Sequence, residues 1–246
     1  GLSLAIDGEE GPGVHDGLEL LRAARAGETI DLGQGDIAVI GGGDVAMDCA
    51  RTAARLAPGR VRIVYRRTRE QMPAHREELE ALLEEQIPID ELLSPTTIRR
   101  NAQGNLEGLI CTPMKLGEPD GSGRRRPVPI SEETAYLPLS AVIVAIGQKL
   151  DPTIFGDETP KLERGGFIRV TPKTLETSIP GLYAGGDAVG SGPETIVKAL
   201  ADGQKIATAI HERVNGAPPE EASLPTTVDV DAFIEARSKR IRRVAI

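Results

Sequence analysis

A glycine-rich turn between an apolar segment and a helical pattern is the feature that most constrains this chain. The segment Asp36–Ile40 (DIAVI) predicts a strand, which runs into three glycines at 41–43 and then into a helical pattern through Leu56. Pro58-Gly59 ends that helix, and Val61–Tyr65 (VRIVY) predicts a second strand. A strand, a helix and a strand within about 30 residues make a βαβ unit, so the sequence predicts an α/β fold with a parallel sheet.

The turn matches the G-x-G-x-x-G/A pattern of dinucleotide-binding βαβ units, with Gly41, Gly43 and Ala46 at its three special positions. In such units the first glycine allows the tight turn, the second lets a pyrophosphate approach the backbone, and the third small residue keeps helix and sheet close. The N–H groups and the positive end of the helix then attract phosphate. The predicted nucleotide-contacting residues are Gly41, Gly42, Gly43, Asp44, Val45 and Ala46. The alternative is a turn that binds nothing.

The end of the second predicted strand indicates which nucleotide is preferred. An NAD-selective site places Asp or Glu there for the ribose 2′-hydroxyl, whereas this chain has Arg66 and Arg67, followed by Arg69. Guanidinium groups match phosphate oxygens with paired donors. We therefore predict that Arg66 and Arg67 select NADP(H); the alternative is a solvated charged edge.

The rest of the chain predicts alternating helices and strands followed by a more irregular segment. The regular elements are a helix over Gly17–Ala26, a charged helix from Pro73 to Gln86, a strand over Ile87–Leu93, a hairpin of Ile98–Arg100 and Leu106–Thr112, and a buried strand over Ala141–Ile146. Later come a loop over 115–129, short strands and turns over 152–180, a strand over Gly181–Ala184, and a helix over Glu194–Arg213. The triplet Arg124–Arg126 is expected to be solvated or to face a partner.

Composition excludes several classes of function. The net charge of -8 and the 2% aromatic content argue against nucleic-acid binding. The longest apolar run is too short to cross a bilayer, so no membrane association is expected and the cytoplasm is the expected compartment. Cys49 and Cys111 are far apart and predict neither a disulfide framework nor a metal site. The histidines are isolated: His15, His75 and His211 are predicted to lie at the surface, with no catalytic role.

A second group of motifs lies near the C-terminus, where GLYAGGD at 181–187 is followed by Thr195-Ile196 and by ADGQK at 201–205. This order resembles the end of the FAD domain in flavoproteins with two dinucleotide-binding domains. The resemblance implies that Gly186 and Asp187 contact FAD, with Asp187 on the ribityl chain. It also implies that the helix N-terminus at Thr195 and Ile196 points at the isoalloxazine carbonyl. A helix N-terminus stabilises the negative charge of a reduced flavin.

Four motifs together resemble the glutamate synthase small subunit and its relatives in the pyridine nucleotide-disulfide oxidoreductase superfamily: GGGDVAMD at 41–48, YRRTREQMPA at 65–74, VIVAIGQ at 142–148 and AGGD at 184–187. The resemblance places Gly147 near the junction of two nucleotide domains. It implies a connector and short helix over 1–34, a Rossmann-like NADP(H)-binding domain over 35–147, the C-terminal segment of an FAD-binding domain over 148–215, and a tail over 216–246. The tail ends in a basic segment, Ser238–Arg243, for which an exposed fragment end is expected.

The same resemblance implies an activity: hydride passes from NADPH to FAD, and electrons pass on to an iron-sulfur-containing domain or large subunit. Because members of the family begin with an earlier glycine-rich turn that this sequence lacks, we expect a fragment, and FAD binding is expected of the full-length protein. Two alternatives stay open. One is a non-catalytic NADP(H)-binding assembly or sensing module, and the other is a dehydrogenase that acts directly on a small substrate.

Overall fold

The structure is a computed structural model that describes residues 1–119, 121, 123–163, 165–190 and 195–217. The described residues form two compact units, one over 1–149 and one over 150–217. Glu194, where the last helix was predicted to begin, lies outside the described residues. So does the predicted tail beyond Ala217, with its basic segment Ser238–Arg243.

The centre of the first unit is a five-stranded parallel sheet in the order β1-β9-β2-β3-β4. Its strands are β1 (Val14–Asp16), β2 (Ile37–Ile40), β3 (Val61–Tyr65), β4 (Ile89–Glu91) and β9 (Ala141–Val144). Both β2 and β9 are buried along their whole length, as predicted for central strands covered on both faces. The predicted α/β fold with a parallel sheet is confirmed.

Helices cover one face of this sheet: α1 (Gly17–Ala26), α2 (Asp44–Leu56) and α3 (Arg76–Glu84). Alternate strand residues such as Ile37, Val39 and Ile143 pack beneath them, together with Met47 from α2. Each such fully buried side chain contributes roughly 1.5–3 kcal/mol to folding. The helix over Gly17–Ala26 has the predicted limits, because Asp16 caps its first turn and Gly27 adopts φ 73 at its end.

An antiparallel sheet covers the opposite face. Its strands are β5 (Leu93–Arg100), β6 (Leu106–Pro119), β7 (Arg125–Pro129) and β8 (Ala135–Pro138), and β6 pairs with the other three. The other set of alternate strand residues, including Val142 and Val144, packs against Ile98 and Leu109 from this sheet. The first unit therefore has three layers, with the parallel sheet in the middle.

Two sequence-based expectations for this unit were wrong. Within the segment 115–129, expected to be a loop, residues 115–119 form the end of β6 and Arg125–Pro129 form β7, with Lys115 opposite Val128. Pro127 and Pro129 are tolerated because β7 is an edge strand, where a missing N–H does not interrupt a ladder. The N-terminal connector contains β1, which pairs with β9 in parallel.

The second unit is more irregular. It contains short 3₁₀ helices at Pro152–Phe155 and Gly186–Val189, followed by α4 (Ile196–Asn215). The strand expected at Gly181–Ala184 is only a single bridge between Tyr183 and Glu176. The Glu176 carboxylate also accepts a hydrogen bond from the backbone N–H of Gly181 at 2.8 Å and binds Arg213 of α4. Within the described residues, no helix combines the length and the hydropathy that a membrane span requires.

Candidate dinucleotide-binding site

The glycine-rich turn joins the carboxyl end of β2 to the N-terminus of α2. Gly41 has φ 149, and a Cβ built there would lie 2.2 Å from the carbonyl oxygen of Ala145. That oxygen belongs to the segment after β9, whose Ala145 N–H donates to the carbonyl of Ile40 at 2.8 Å. Glycine is therefore required at 41 because the neighbouring backbone passes so close, as the predicted tight turn demands.

Glycine is also required at position 42, for a reason that the G-x-G-x-x-G/A pattern does not include. A Cβ on Gly42 would lie 2.5 Å from the ring of Tyr65 at the end of β3. The Tyr65 hydroxyl donates to the carbonyl of Gln71 at 3.0 Å, and the N–H of Ala74 donates to the carbonyl of Gly42 at 3.1 Å. These two hydrogen bonds hold the segment after β3 against the glycine-rich turn.

Beside Gly43 there is open space. A Cβ built on Gly43 meets no heavy atom closer than Cγ of Pro73, at 3.9 Å. Gly43 is also the N-cap of α2 and provides no side-chain acceptor for the N–H groups of Asp44 and Val45, whereas the Ala46 N–H donates to the Gly43 carbonyl at 2.9 Å. Ala46 is fully buried against the sheet, as the third position of the motif requires. The geometry fits an approaching pyrophosphate.

Gly147 lies at the same edge of the sheet. It has φ 123, and with Val45, Val144 and Ala145 it lines a cavity of about 20 Å³, the space of a single water. The structure thus brings Gly147 to the N-terminus of α2, close to the glycine-rich turn.

The two predicted phosphate-binding arginines are placed differently. Arg66 is exposed, whereas Arg67 is only 5% exposed and its Nε donates to the carbonyl of Arg125 at 2.8 Å. The backbone N–H of Arg125 in turn donates to the Gln71 side chain at 2.9 Å. Arg69, further along, is paired with Glu91 at 2.6 Å. Arg66 is therefore the member of the predicted pair that solvent and ligand can reach.

Asp44 makes a contact that the sequence did not predict. Its carboxylate accepts from the backbone N–H of His75 at 2.7 Å and lies 2.5 Å from Nδ1 of the same residue. The hydrogen bond and the charge of Asp44 raise the pKa of His75. The two residues are 31 positions apart, and no local pattern links them. His75 is at the surface, as predicted, but it is not isolated.

In the second unit the predicted flavin-contacting residues lie on two elements. Gly186, with φ 63, and the exposed Asp187 are in the 3₁₀ helix. Thr195 caps α4 by accepting from the N–H of Lys198 at 3.3 Å, and Ile196 begins the helix with 80% of its surface exposed.

The buried carboxylate of Asp202 joins these two elements. It accepts from the N–H of Gly186 at 2.9 Å and pairs with Lys198 one turn earlier on α4. Lys198, followed by the Gly186 N–H, lowers the pKa of Asp202. No role was predicted for Asp202, although its place in the ADGQK segment could have drawn attention to it.

The cysteines are not a redox pair. Cys49 and Cys111 are both buried and free, and burial raises the pKa of each thiol to about 12. Cys49 lies 3.4 Å from the carbonyl of Gly17, in the contact between α2 and α1. Cys49 is therefore a packed small side chain of the core. Among the described residues, no cluster of three or more His, Cys, Asp and Glu is arranged to hold a metal ion.

A parallel sheet with a dinucleotide-binding turn, followed along the chain by a GGD turn and a capped helix, is typical of dinucleotide-dependent oxidoreductases. Comparison with known sequences assigns the chain to the same class. The pyridine nucleotide-disulphide oxidoreductase family matches residues 3–203. The chain therefore belongs to this family of oxidoreductases, whose cofactors are NADP(H) and FAD.

Individual relatives make the likeness more specific. The chain is 43% identical over 200 residues to the NADP(+)-dependent formate dehydrogenase subunit beta of Moorella thermoacetica, covering 81% of this chain and 27% of that protein. It is 35% identical over 179 residues to the glutamate synthase [NADPH] small chain of Escherichia coli, covering 71% and 38%. The chain thus spans well under half the length of these two relatives. Its fold is similar to FprA of Mycobacterium tuberculosis in complex with NADPH, with a TM-score of 0.68, 19% identity, and 97% of this chain and 67% of that chain covered.

These comparisons confirm the predicted resemblance, the fold class and the oxidoreductase class. They do not test individual site residues or the predicted domain limits, which stay predictions.

Proposed function

We propose that this chain is the NADP(H)-binding region, with a flavin-contacting segment, of an NADPH-dependent flavin oxidoreductase. When bound, the cofactors would supply the redox chemistry, a hydride transfer from the reduced nicotinamide to FAD. That step requires no acid, base or nucleophile from the protein, so the chain's contribution is binding, orientation and electrostatics. The observation that carries the proposal is the open space at Gly43, at the N-terminus of a helix that follows a parallel strand.

Each part of the first unit then has a role. The N–H groups of Gly42, Gly43 and the first residues of α2 receive the pyrophosphate, whereas Gly41, whose N–H donates to the Val64 carbonyl at 3.3 Å, provides the tight turn. Val45 and Gly147 lie beside that turn, at the carboxyl edge of the sheet, where the rest of the dinucleotide would bind. Ala46 keeps α2 against the sheet.

Arg66 is the proposed ligand of the 2′-phosphate, because it is exposed at the carboxyl end of β3. Arg67 is the proposed support for this edge, because its buried guanidinium holds the backbone of β7 through the carbonyl of Arg125. This assignment gives adjacent arginines different tasks.

In the second unit we assign FAD contacts to Gly186, Asp187, Thr195 and Ile196, as the resemblance implies. The hydrogen bond from the Gly186 N–H to Asp202 supports the assignment, since it fixes the GGD turn to the first turns of α4. Both relatives described above are named as parts of larger enzymes, a subunit beta and a small chain. We extend the proposal to a partner domain or subunit that contains iron-sulfur clusters and receives the electrons.

Titration calorimetry with NADPH and with NADH tests the nucleotide assignment. Arg66→Gln should weaken NADPH binding roughly tenfold to a hundredfold and NADH binding little, since a hydrogen bond to a charged group contributes about 1.5–3 kcal/mol. Arg60→Gln is the matched control, because Arg60 is also exposed but precedes β3, at the opposite end of the strand. Equal losses for both nucleotides would contradict the assignment to the 2′-phosphate.

Turnover is tested separately. With FAD added, the protein should oxidise NADPH in the presence of an artificial electron acceptor. Binding of NADPH without any oxidation would favour the non-catalytic module instead. Reduction of a small carbonyl substrate without flavin would favour the simple dehydrogenase.

A further inference from the structure

The contact between Asp44 and His75 lies directly on the proposed pyrophosphate site. Asp44 is the first residue of α2, and the segment that ends in His75 is bonded along the turn through Ala74 and the carbonyl of Gly42. His75 in turn precedes α3, where it is the N-cap residue but makes no side-chain cap. Its imidazole is therefore directed to Asp44, and not to the helix that it begins.

A carboxylate at the N-terminus of α2 stabilises the helix but disfavours the binding of a negatively charged ligand. Asp44 is stabilised by the positive end of α2, where acidic residues are common. A pyrophosphate brings further negative charge to the same helix end, so an uncompensated Asp44 would repel it. An imidazolium 2.5 Å from the Asp44 carboxylate removes that repulsion.

We infer that His75 is a nucleotide-binding residue that carries a proton in the bound state and, paired with Asp44, offsets the repulsion between that carboxylate and the pyrophosphate. The inference rests on the proposed function, because it assigns a residue to the same site. The inference assigns a binding role to His75, for which the sequence analysis predicted only a surface position.

The surrounding charges act in the same direction. Asp44 faces His75 from α2, and Glu77 and Glu78 face it from the first turn of α3. Asp48 lies one turn after Asp44 on α2. Its pKa is raised mainly by burial and secondly by the charge of Glu78. Arg76, the cation next to His75 in sequence, is paired with Glu80. The protonated form of His75 is therefore favoured before nucleotide binds, and a bound pyrophosphate favours it further.

Proton linkage follows from this arrangement. If nucleotide raises the pKa of His75 again, binding takes up a fraction of a proton at pH values between the pKa of the unbound and bound states. The dissociation constant should then fall as pH is lowered through this window and level off below it. Because one pKa unit corresponds to a tenfold change in affinity, we expect a total change of roughly three- to tenfold.

Calorimetry of NADPH binding in buffers of different ionisation enthalpy measures the protons taken up. The 2′-phosphate of NADPH also titrates, with a pKa near 6, so the diagnostic quantity is the difference between the wild-type chain and His75→Asn. NADH lacks this phosphate and provides a second, simpler probe. His211→Gln, at an exposed position on α4, is the matched control. Loss of proton uptake in His75→Asn alone supports the inference.

A measurement on the unmodified chain covers the case in which His75→Asn fails to fold. The His75 ring signal, titrated by NMR with and without saturating NADPH, should show a higher pKa with nucleotide. If NADPH binds but that pKa and the proton count do not change, the inference is refuted while the proposed function stands. If NADPH does not bind at all, the proposed function fails and the inference fails with it.

Discussion

Replacing Gly43 with alanine should separate binding from folding at the glycine-rich turn. The added methyl group meets no heavy atom closer than 3.9 Å, and the backbone φ of -96 suits any residue. Alanine restricts the unfolded chain, which stabilises the fold by roughly 0.4–1 kcal/mol. Alanine is also a poorer N-cap than glycine, which costs a similar amount. We therefore expect the free energy of unfolding to change by less than about 0.5 kcal/mol.

The same methyl group would stand where the pyrophosphate approaches. We expect NADPH binding by Gly43→Ala to weaken roughly tenfold to a hundredfold, or about 1.4–2.8 kcal/mol. Gly41→Ala is the contrasting variant, because its Cβ would lie 2.2 Å from the Ala145 oxygen at a φ of 149. A backbone strained in this way costs about 1–3 kcal/mol, and the overpacking a similar amount. Gly41→Ala should therefore unfold at a clearly lower temperature, by about 2–4 °C for each kcal/mol.

Thermal unfolding followed by circular dichroism, with calorimetry on the same samples, distinguishes the two variants. We expect a stable Gly43→Ala that binds poorly and an unstable Gly41→Ala. Wild-type NADPH affinity in Gly43→Ala would show that the open space is not the pyrophosphate site. A loss of stability in Gly43→Ala equal to that of Gly41→Ala would show that the space is not open.

Further predictions concern other positions. Gly42→Ala should destabilise the fold, because its methyl group would lie 2.5 Å from an aromatic ring of β3; thermal unfolding measures this, and an unchanged midpoint would contradict the packing. Cys49 and Cys111 are buried with raised pKa values, so a thiol reagent at pH 8 should label them only as the chain unfolds, and fast labelling of the native state would exclude their burial. The lowered pKa of Asp202 means that its contribution to stability is present above about pH 4 and is lost as pH falls through the lowered value. Denaturant unfolding between pH 2 and 6 should show this loss in the wild type and not in Asp202→Asn, and identical pH profiles would refute the joint stabilisation of the Asp202 carboxylate by Lys198 and the Gly186 N–H.

The sequence predicted those parts of the fold whose determinants are consecutive residues. The strand, turn and helix over 36–56 can be recognised because glycine positions, apolar runs and helical spacing all lie within about 20 residues. The central position of β9 follows from its uninterrupted apolar character. The limits of α1 follow from Asp16 and Gly27, which cap its two ends.

The missed elements depend on partners far away in sequence. β1 has three half-buried residues and no alternating pattern, and its pairing with β9 joins Val14 to Val142. β7 contains two prolines and two arginines, which by themselves indicate a loop. The segment is a strand because it pairs with β6. In both cases the tertiary context determines the structure, and the local propensity is weak or misleading.

Arg66 and Arg67 show the same limit within the candidate site, and they permit a direct test. Both residues are arginines after one strand, so a sequence pattern assigns them one role; their difference arises from β7, whose Arg125 carbonyl accepts from Arg67 across 58 positions. Arg67→Met should lower the free energy of unfolding by about 1.5–3 kcal/mol, because it removes a buried charged hydrogen bond.

The same variant should leave the ratio of NADPH to NADH affinity within about twofold of the wild type, whereas Arg66→Gln should change that ratio and leave stability nearly unchanged. Thermal unfolding and calorimetry on both variants measure the two quantities independently. A stable Arg67→Met that has lost its preference for NADPH would mean that Arg67 leaves its buried position to bind the phosphate. The division of roles between the two arginines would then be wrong.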